Sequence, residues 1–159
     1  GGGILAHESA TYSYNEAHYI YFGKSNSPQA DPNVRYIKMN GRKIYEFALI
    51  NVPKAMKSCL EKSGKSIKDL KKVFIHQANE KMDEAILKRF YKLFGEEFPE
   101  GVMPMTIQEL GNSSVATVPT LLDLVINKQI DKQELKKGDI IMFASVGAGM
   151  NVNAIVYEY

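Results

Sequence analysis

Residues 73–90 read VFIHQANEKMDEAILKRF, and this stretch joins an apolar strand to an amphipathic helix through a polar junction. The apolar run at 73–75 predicts a buried strand. Asn79 can cap the helix that follows, and the acidic residues after it favour the positive end of that helix. We expect the helix to run to about Phe94, because apolar side chains recur along one side and Gly95 then ends it.

Outward from this stretch, apolar spacing and turn residues predict further elements in both directions. They are one or two strands over 4–21, a loop over 23–33, a strand over 35–39, a helix over 41–62 that Pro53 kinks or divides, a helical turn over 66–70, an extended segment over 103–110, a helix from the turn at 111–114 to about Lys128, and strands over 139–146 and 152–159. The last helix is expected to bury Val115, Val118, Leu121, Leu122 and Val125. Strands alternating with helices indicate a layered α/β domain.

The composition of the chain argues against several classes of function. Its 159 residues are 45% hydrophobic and 24% charged, which fits one globular domain. A formal net charge of +2 is too small to indicate a nucleic acid or an anionic membrane as partner. One cysteine and three scattered histidines exclude an internal disulfide and a cysteine-rich zinc site, and no metal site is expected. No signal peptide or membrane span is predicted, and a cytoplasmic location is expected.

Three polar features follow apolar strands and therefore form a candidate site. They are His76 within IHQAN (75–79), the turn GNSS (111–114) and the turn GAG (147–149). Ligands of α/β sheets bind beyond the carboxyl ends of strands, which is a physical reason to group these features. Each feature also has an ordinary structural interpretation: a satisfied histidine, a capping asparagine and a hairpin turn.

Together, HQAN, GNSS and GAG in this order resemble the C-terminal half of the ketoacyl synthase III family, the condensing enzymes with a thiolase-like fold. The matching stretches are 73–90, 108–123 and 136–159, with further similarity at 52–64 and in GILA at 3–6. The resemblance implies that residues 1–159 form one thiolase-like half-domain, an α/β layer structure with a mixed central sheet flanked by helices. It also implies that the N-terminal half, which carries the nucleophile, is absent.

The family uses a cysteine–histidine–asparagine triad, and the resemblance assigns two of its members, His76 and Asn112, to this chain. The other site residues that it implies are Asn79, Gly147, Ala148 and Gly149 for substrate binding, and Lys81 for docking a carrier protein. The lone cysteine, Cys59, lies on the apolar side of the predicted 41–62 helix. It is therefore interpreted as a buried structural thiol and not as the nucleophile.

The activity implied is the decarboxylative Claisen condensation of an acyl thioester with malonyl-acyl carrier protein in fatty acid biosynthesis. The partners implied are acyl carrier protein, acyl-CoA and malonyl thioesters, the N-terminal half of the same enzyme and a second copy in a homodimer. No cofactor is expected, because the substrates arrive as CoA or phosphopantetheine thioesters. The fragment alone is expected to be inactive. Two alternatives stay open: a thiolase-fold acyltransferase that makes esters or amides, and a non-catalytic module that binds carrier protein or a partner.

Overall fold

The computed structural model describes residues 2–159 and arranges them as helices on both faces of a mixed β-sheet. The strands are β1 (Gly3–Thr11), β2 (Ile20–Gly23), β3 (Tyr36–Met39), β4 (Leu70–Ile75), β5 (Ile140–Gly147) and β6 (Asn151–Glu158). The helices are α1 (Gly41–Ser63), α2 (Glu80–Lys92), α3 (Ile107–Leu110) and α4 (Thr117–Ile126). The predicted α/β architecture, with a mixed central sheet flanked by helices, is confirmed.

The main sheet has the strand order β1-β6-β5-β4. Strands β4 and β5 are parallel, whereas β6 runs antiparallel to both β5 and β1. A parallel pair requires a long crossover, and α2, α3 and α4 lie in the crossover between β4 and β5. Because β4 and β5 are parallel, their carboxyl ends lie at the same edge of the sheet. Strands β2 and β3 pair separately as an antiparallel ribbon.

The two faces of the sheet are covered by different helices. Successive side chains of a strand point to opposite faces. On one face, Val73 and Met142 belong to a core that includes α1 and α2. On the other face, Phe74 and Ile141 pack with α4. Burial on both sides explains why 73–75 is a continuous apolar run, and the buried strand predicted there is confirmed.

Helix α1 begins and ends where the sequence predicts. The side-chain oxygen of Asn40 accepts a hydrogen bond from the backbone N–H of Lys43 at 3.4 Å, which satisfies one first-turn amide. Gly64 follows the last turn at φ 70°, a left-handed conformation that glycine adopts readily. The helix predicted over 41–62 is therefore confirmed.

Pro53 lies inside α1 without dividing it. Proline has no N–H, so the carbonyl of Leu49, one turn earlier, loses its helical partner. The Nη1 group of Arg89 in α2 donates a hydrogen bond to this carbonyl at 3.3 Å. The prediction that a second helical piece begins at Pro53 is wrong, because tertiary packing supplies the partner that the helix lacks.

Two predictions for the segment before α4 are also wrong. The region predicted to be extended over 103–110 contains the helical turn α3, because the carbonyl of Thr106 accepts a hydrogen bond from the amide of Leu110 at 2.9 Å. Val115 is 90% exposed and does not lie on the buried face of α4. It belongs to a 3₁₀ turn, Ser114–Ala116, that precedes the helix and changes the direction of its side chain. The residues of α4 that are buried are Thr117, Leu121 and Val125.

Helices α1 to α4 all lie within residues 2–159. None of the helices there combines the length and the apolar character needed to cross a lipid bilayer. No three His, Cys, Asp or Glu side chains in that part of the chain converge in a way that could hold a metal ion.

Candidate active site

His76 is the first residue beyond β4, at the carboxyl edge of the parallel strand pair. Its backbone N–H donates to the carbonyl of Ala144 in β5 at 2.9 Å, which extends the β4–β5 ladder by one residue. This bond fixes the backbone that carries the imidazole. The position is rigid because β4 is buried on both faces, whereas the His76 side chain is only half-buried.

Asn112 lies in a tight turn that fixes its side-chain amide. Its Oδ1 accepts a hydrogen bond from the backbone N–H of Ser114 at 2.8 Å. Because the oxygen is engaged in this way, the Nδ2 group is left as the donor that can act on a ligand. Ser114 itself has φ 55°, a conformation that costs a non-glycine residue about 1–3 kcal/mol. Strain of this kind is concentrated at functional sites, which favours a role for this turn.

The structure brings His76 and the Asn112 turn together, although this turn follows the helical turn α3 and not the strand that was predicted before it. Burial lowers the pKa of the His76 imidazole below the ordinary histidine range, and a hydrogen bond with the backbone of Ser114 opposes that effect. The net effect favours the neutral form of the imidazole. A neutral ring and a neutral amide side by side can donate two hydrogen bonds to one developing negative charge without adding a net charge of their own.

The GAG turn lies at the same edge of the sheet, farther from the core. Strand β5 continues for three residues beyond Ala144, the partner of Ile75, which places the turn about 10 Å past the end of β4. Gly149 has φ 73°, and an added Cβ there would lie 3.2 Å from Nδ2 of Asn151. Within the described residues no hydrogen bond joins this turn to His76 or Asn112.

Asn79 and Lys81 lie at the amino end of α2, directly after the HQAN junction. The predicted capping role of Asn79 is confirmed, because its Oδ1 accepts a hydrogen bond from the backbone N–H of Met82 at 3.2 Å. Its Nδ2 group remains exposed to solvent with the rest of the side chain. Lys81 is exposed in the first turn of the same helix. Both residues therefore lie at the surface and not in the core.

The sequence reasoning assigned no role to Gln77, although the structure ties it to the site. Its side chain is fully buried and hydrogen-bonds to the segment that leads to the Asn112 turn. The signal that could have identified it is a polar residue placed between an apolar strand and a helix, where a buried side chain needs partners. The partners themselves lie about thirty residues away, and no local pattern reveals them.

Comparison with known families agrees with this geometry. The family model for the 3-oxoacyl-[acyl-carrier-protein (ACP)] synthase III C terminal matches residues 60–159, which is more than half of the chain. The chain belongs to this family. The match contains His76, the Asn112 turn and the GAG turn. The resemblance inferred from HQAN, GNSS and GAG is therefore confirmed.

Individual relatives of the synthase III family extend the similarity toward the start of the chain. The beta-ketoacyl-[acyl-carrier-protein] synthase III of Lactobacillus helveticus is 27% identical over 150 residues, which is 91% of this chain and 43% of that protein. The enzyme of the same name from Porphyra umbilicalis is 33% identical over 130 residues, covering 80% of this chain and 37% of that protein.

A solved structure of the same family has the same fold. The beta-ketoacyl-[acyl carrier protein] synthase III of Thermus thermophilus superposes with a TM-score of 0.80 at 23% identity, over 100% of this chain and 47% of that chain. The thiolase-like half-domain fold is therefore confirmed. The chain spans less than half the length of each of these relatives.

Cys59, the one cysteine of this synthase III family chain, is not part of the site. It is fully buried in α1, and its Sγ donates to the carbonyl of Ala154 in β6 at 3.4 Å. Burial raises the pKa of the thiol, so the thiolate that a nucleophile requires is disfavoured. The prediction that Cys59 is a buried structural thiol is confirmed.

Proposed function

We propose that this domain supplies the histidine and asparagine of a synthase III-type active site, and that the cysteine nucleophile comes from sequence outside these residues. The single observation that carries the proposal is the contact of the His76 imidazole with the Asn112 turn at the carboxyl end of β4. The complete enzyme would condense an acyl thioester with malonyl-acyl carrier protein in fatty acid biosynthesis.

In the proposed reaction, His76 and Asn112 act on the malonyl thioester. The carbon–carbon bond to the carboxylate breaks, carbon dioxide leaves, and the electron pair moves into an enolate. When the malonyl thioester binds, the single N–H of the neutral His76 ring exchanges its Ser114 backbone partner for the enolate oxygen, where the charge develops, and the Asn112 Nδ2 group donates to the same oxygen. Preorganised donors of this kind lower the barrier, and removing one commonly costs about a hundredfold or more in rate.

The enolate carbon then attacks the carbonyl carbon of an acyl group held as a thioester on the cysteine. The new carbon–carbon bond forms, the tetrahedral oxyanion collapses, and the cysteine leaves as a thiolate. We assign the backbone around Ala148 in the GAG turn to binding that oxyanion and Asn79 to the substrate channel. The exposed carboxyl edge of β4 and β5 supports both assignments.

We further propose that Lys81 contacts an acidic carrier protein that delivers the malonyl group. A basic side chain in the first turn of a helix opposes the helix dipole, so it is unfavourable for α2 itself. That cost is one reason to assign it a binding role. The other proposed partners are an N-terminal half that bears the cysteine and a second copy in a homodimer, with the assembled enzyme in the cytoplasm and no cofactor beyond the thioester carriers.

The test compares the chain alone with an assembled enzyme. In the assembled enzyme, a cysteine-bearing N-terminal half from a synthase III relative is fused ahead of residues 2–159. Both proteins are incubated with acetyl-CoA and malonyl-acyl carrier protein, and acylation is followed by intact mass. We expect no acyl adduct on Cys59 in the chain alone. In the fusion we expect an acyl adduct on the supplied cysteine, release of carbon dioxide and a 3-oxoacyl product.

Two outcomes would overturn the proposal. Acylation of Cys59 in the chain alone would mean that the nucleophile is internal. An acylated fusion that forms esters or amides without releasing carbon dioxide would favour the acyltransferase alternative over condensation.

A further inference from the structure

Gln77 connects two parts of the candidate site that are distant in sequence. Its side chain is fully buried directly after His76. Its Nε2 donates to the carbonyl of Pro104 at 3.0 Å, and its Oε1 accepts from the backbone N–H of Thr106 at 2.9 Å and from the Thr106 hydroxyl at 3.1 Å. Both ends of the amide are engaged, so the side chain cannot rotate without breaking bonds at both ends.

The segment that Gln77 holds continues rigidly into the Asn112 turn. The carbonyl of Thr106 accepts from the amide of Leu110 at 2.9 Å, and the carbonyl of Ile107 accepts from the amide of Gly111 at 2.9 Å. These bonds form α3, which ends at Leu110, two residues before Asn112. A displacement at Thr106 therefore moves the end of α3, which is joined to Asn112 through Gly111.

A second tether joins the same turn to α2 at the surface. Nε2 of Gln108 donates to Oε2 of Glu80 at 3.0 Å. Both of these side chains are solvent-accessible, and an exposed hydrogen bond competes with water. The buried hydrogen bonds of Gln77 are expected to hold the turn more strongly than this exposed bond does. Breaking them leaves a carbonyl and an amide without partners and away from solvent.

We propose that Gln77 is a positioning residue that holds the loop carrying Asn112 against the junction carrying His76. Its catalytic meaning rests on the proposed function, because two donors act together only when both are held at the correct distance from one oxygen. The structural part of the proposal, that Gln77 holds this loop in place, does not depend on that function. Gln77 touches no reacting group; it acts through Thr106 and α3.

The test uses Gln77→Met, which keeps the length and approximate volume of the side chain but removes its hydrogen bonds. The matched control is Gln108→Ala, which removes the exposed tether of the same turn. Two NMR readouts are measured on the whole chain: the pKa of His76 and the hydrogen-exchange rate of the Ser114 amide, which donates to Asn112. Thermal unfolding checks that each variant is folded.

We expect Gln77→Met to shift the His76 pKa, because a released loop changes both the burial of the ring and its hydrogen bond with the backbone of Ser114. We also expect about tenfold faster exchange at Ser114, the effect of losing roughly one buried hydrogen bond. Gln108→Ala is expected to leave the His76 pKa unchanged and exchange within twofold. A folded Gln77→Met variant with wild-type values for both readouts would overturn the proposal.

A second variant decides the case if Gln77→Met does not fold. Thr106→Ala removes only the hydroxyl bond to Gln77, so it is expected to speed Ser114 exchange by a smaller factor in the same direction. No change in that exchange would overturn the proposal. Neither readout involves condensation. If the substitutions leave the NMR readouts unchanged, the role of Gln77 is contradicted. If the readouts change as expected but the assembled enzyme is inactive, only the proposed function is contradicted.

Discussion

At the scale of single residues, burial acts on His76 and Cys59 in ways that separate their roles. Burial disfavours the charged form of any titratable group. It lowers the pKa of the His76 imidazole and so favours the neutral ring, whose N–H can still donate a hydrogen bond. It raises the pKa of the Cys59 thiol and keeps it un-ionised, which removes its nucleophilic form. One physical effect therefore favours the neutral form of both side chains, and for Cys59 the neutral form is a poor nucleophile.

Asp83 responds to burial most strongly. It is fully buried in α2, and burial raises the pKa of its carboxyl to about 8, with the backbone of Asn79 only partly offsetting this. The folded protein therefore holds a proton on Asp83 at neutral pH, whereas the unfolded chain does not. Because the folded state binds the extra proton, the stability contribution from Asp83 is lost as pH rises from about 4 to about 8.

We predict that Asp83→Asn removes this pH dependence. Between pH 5 and 7 the contribution of Asp83 amounts to about 1 kcal/mol of unfolding free energy per pH unit. Urea unfolding at both pH values should therefore show a smaller loss of stability on raising the pH in Asp83→Asn than in the wild-type protein. Glu84→Gln on the same helix is the control and should behave as wild type. Equal pH slopes for wild type and Asp83→Asn would mean that Asp83 is ionised in the folded state.

At the scale of elements, α2 contacts α1 through a backbone carbonyl that has no partner within α1. Pro53 leaves the carbonyl of Leu49 without a helical partner, and Arg89 donates to it at 3.3 Å. A continuous helix with an internal proline is thus stabilised by a side chain of the neighbouring helix. The bond also fixes α2, which begins directly after the HQAN junction.

We predict that Arg89→Met destabilises the protein by about 1 kcal/mol, because a charged group no longer partners the Leu49 carbonyl. Pro53→Ala restores an N–H that can serve the same carbonyl. In that background Arg89→Met should cost clearly less, so the double-mutant cycle should give a coupling free energy of roughly 0.5–1 kcal/mol. Chemical denaturation of the four proteins measures it. Strict additivity would show that Arg89 does not serve this carbonyl.

The elements that the sequence predicts well are those whose apolar pattern is visible in consecutive residues. Strand β4 is a continuous apolar run because both faces are buried, and α1 repeats its apolar residues over many turns. The turn α3 was missed because four residues carry no periodic signal. Its formation depends on Thr106, which Gln77 holds from a different part of the chain. The second helical piece expected at Pro53 does not form. Arg89, which donates to the carbonyl of Leu49, is also distant in sequence and could not be predicted from it.

The candidate site also has some features that the sequence predicts and others that it does not. The residue types at 76 and 112 and the strand-end position of His76 could be predicted, and the family resemblance supplied the roles expected of them. The strand expected before Asn112 is instead the helical turn α3. The proximity of His76 and Asn112 could not be derived from spacing, because it depends on how the crossover after β4 folds back to the sheet edge. The hydrogen bond of Asn112 to Ser114, which leaves Nδ2 free as a donor, is a local geometry that no sequence pattern specifies.

At the scale of the whole molecule, the ribbon of β2 and β3 leaves an apolar face uncovered. Phe22 and Ile37 are a cross-strand pair, and they are 72% and 64% exposed. Met39 lies on the same face of the ribbon and is also 64% exposed. Two-stranded ribbons are marginal alone, and a contiguous exposed apolar face favours association. This face fits the proposed need for a partner.

We predict that the chain associates with itself in a concentration-dependent way. Ile37→Thr keeps a β-branched residue but removes apolar surface, and it should weaken association by roughly tenfold. Tyr36→Thr, on the opposite face of the ribbon, is the control and should associate as wild type. Sedimentation velocity over a range of concentrations measures this. A wild-type chain that stays monomeric throughout would contradict the idea that the face is an interface.

The most direct test of the central claim is malonyl decarboxylation by the fusion of residues 2–159 with a cysteine-bearing half. Labelled carbon dioxide released from malonyl-acyl carrier protein is measured for the unsubstituted fusion and for His76→Ala and Asn112→Ala, after the fold of each variant is checked by circular dichroism. We predict that each substitution lowers the release rate by about a hundredfold or more, because each removes one donor to the enolate oxygen. Folded variants that release carbon dioxide within twofold of the unsubstituted rate would contradict the account.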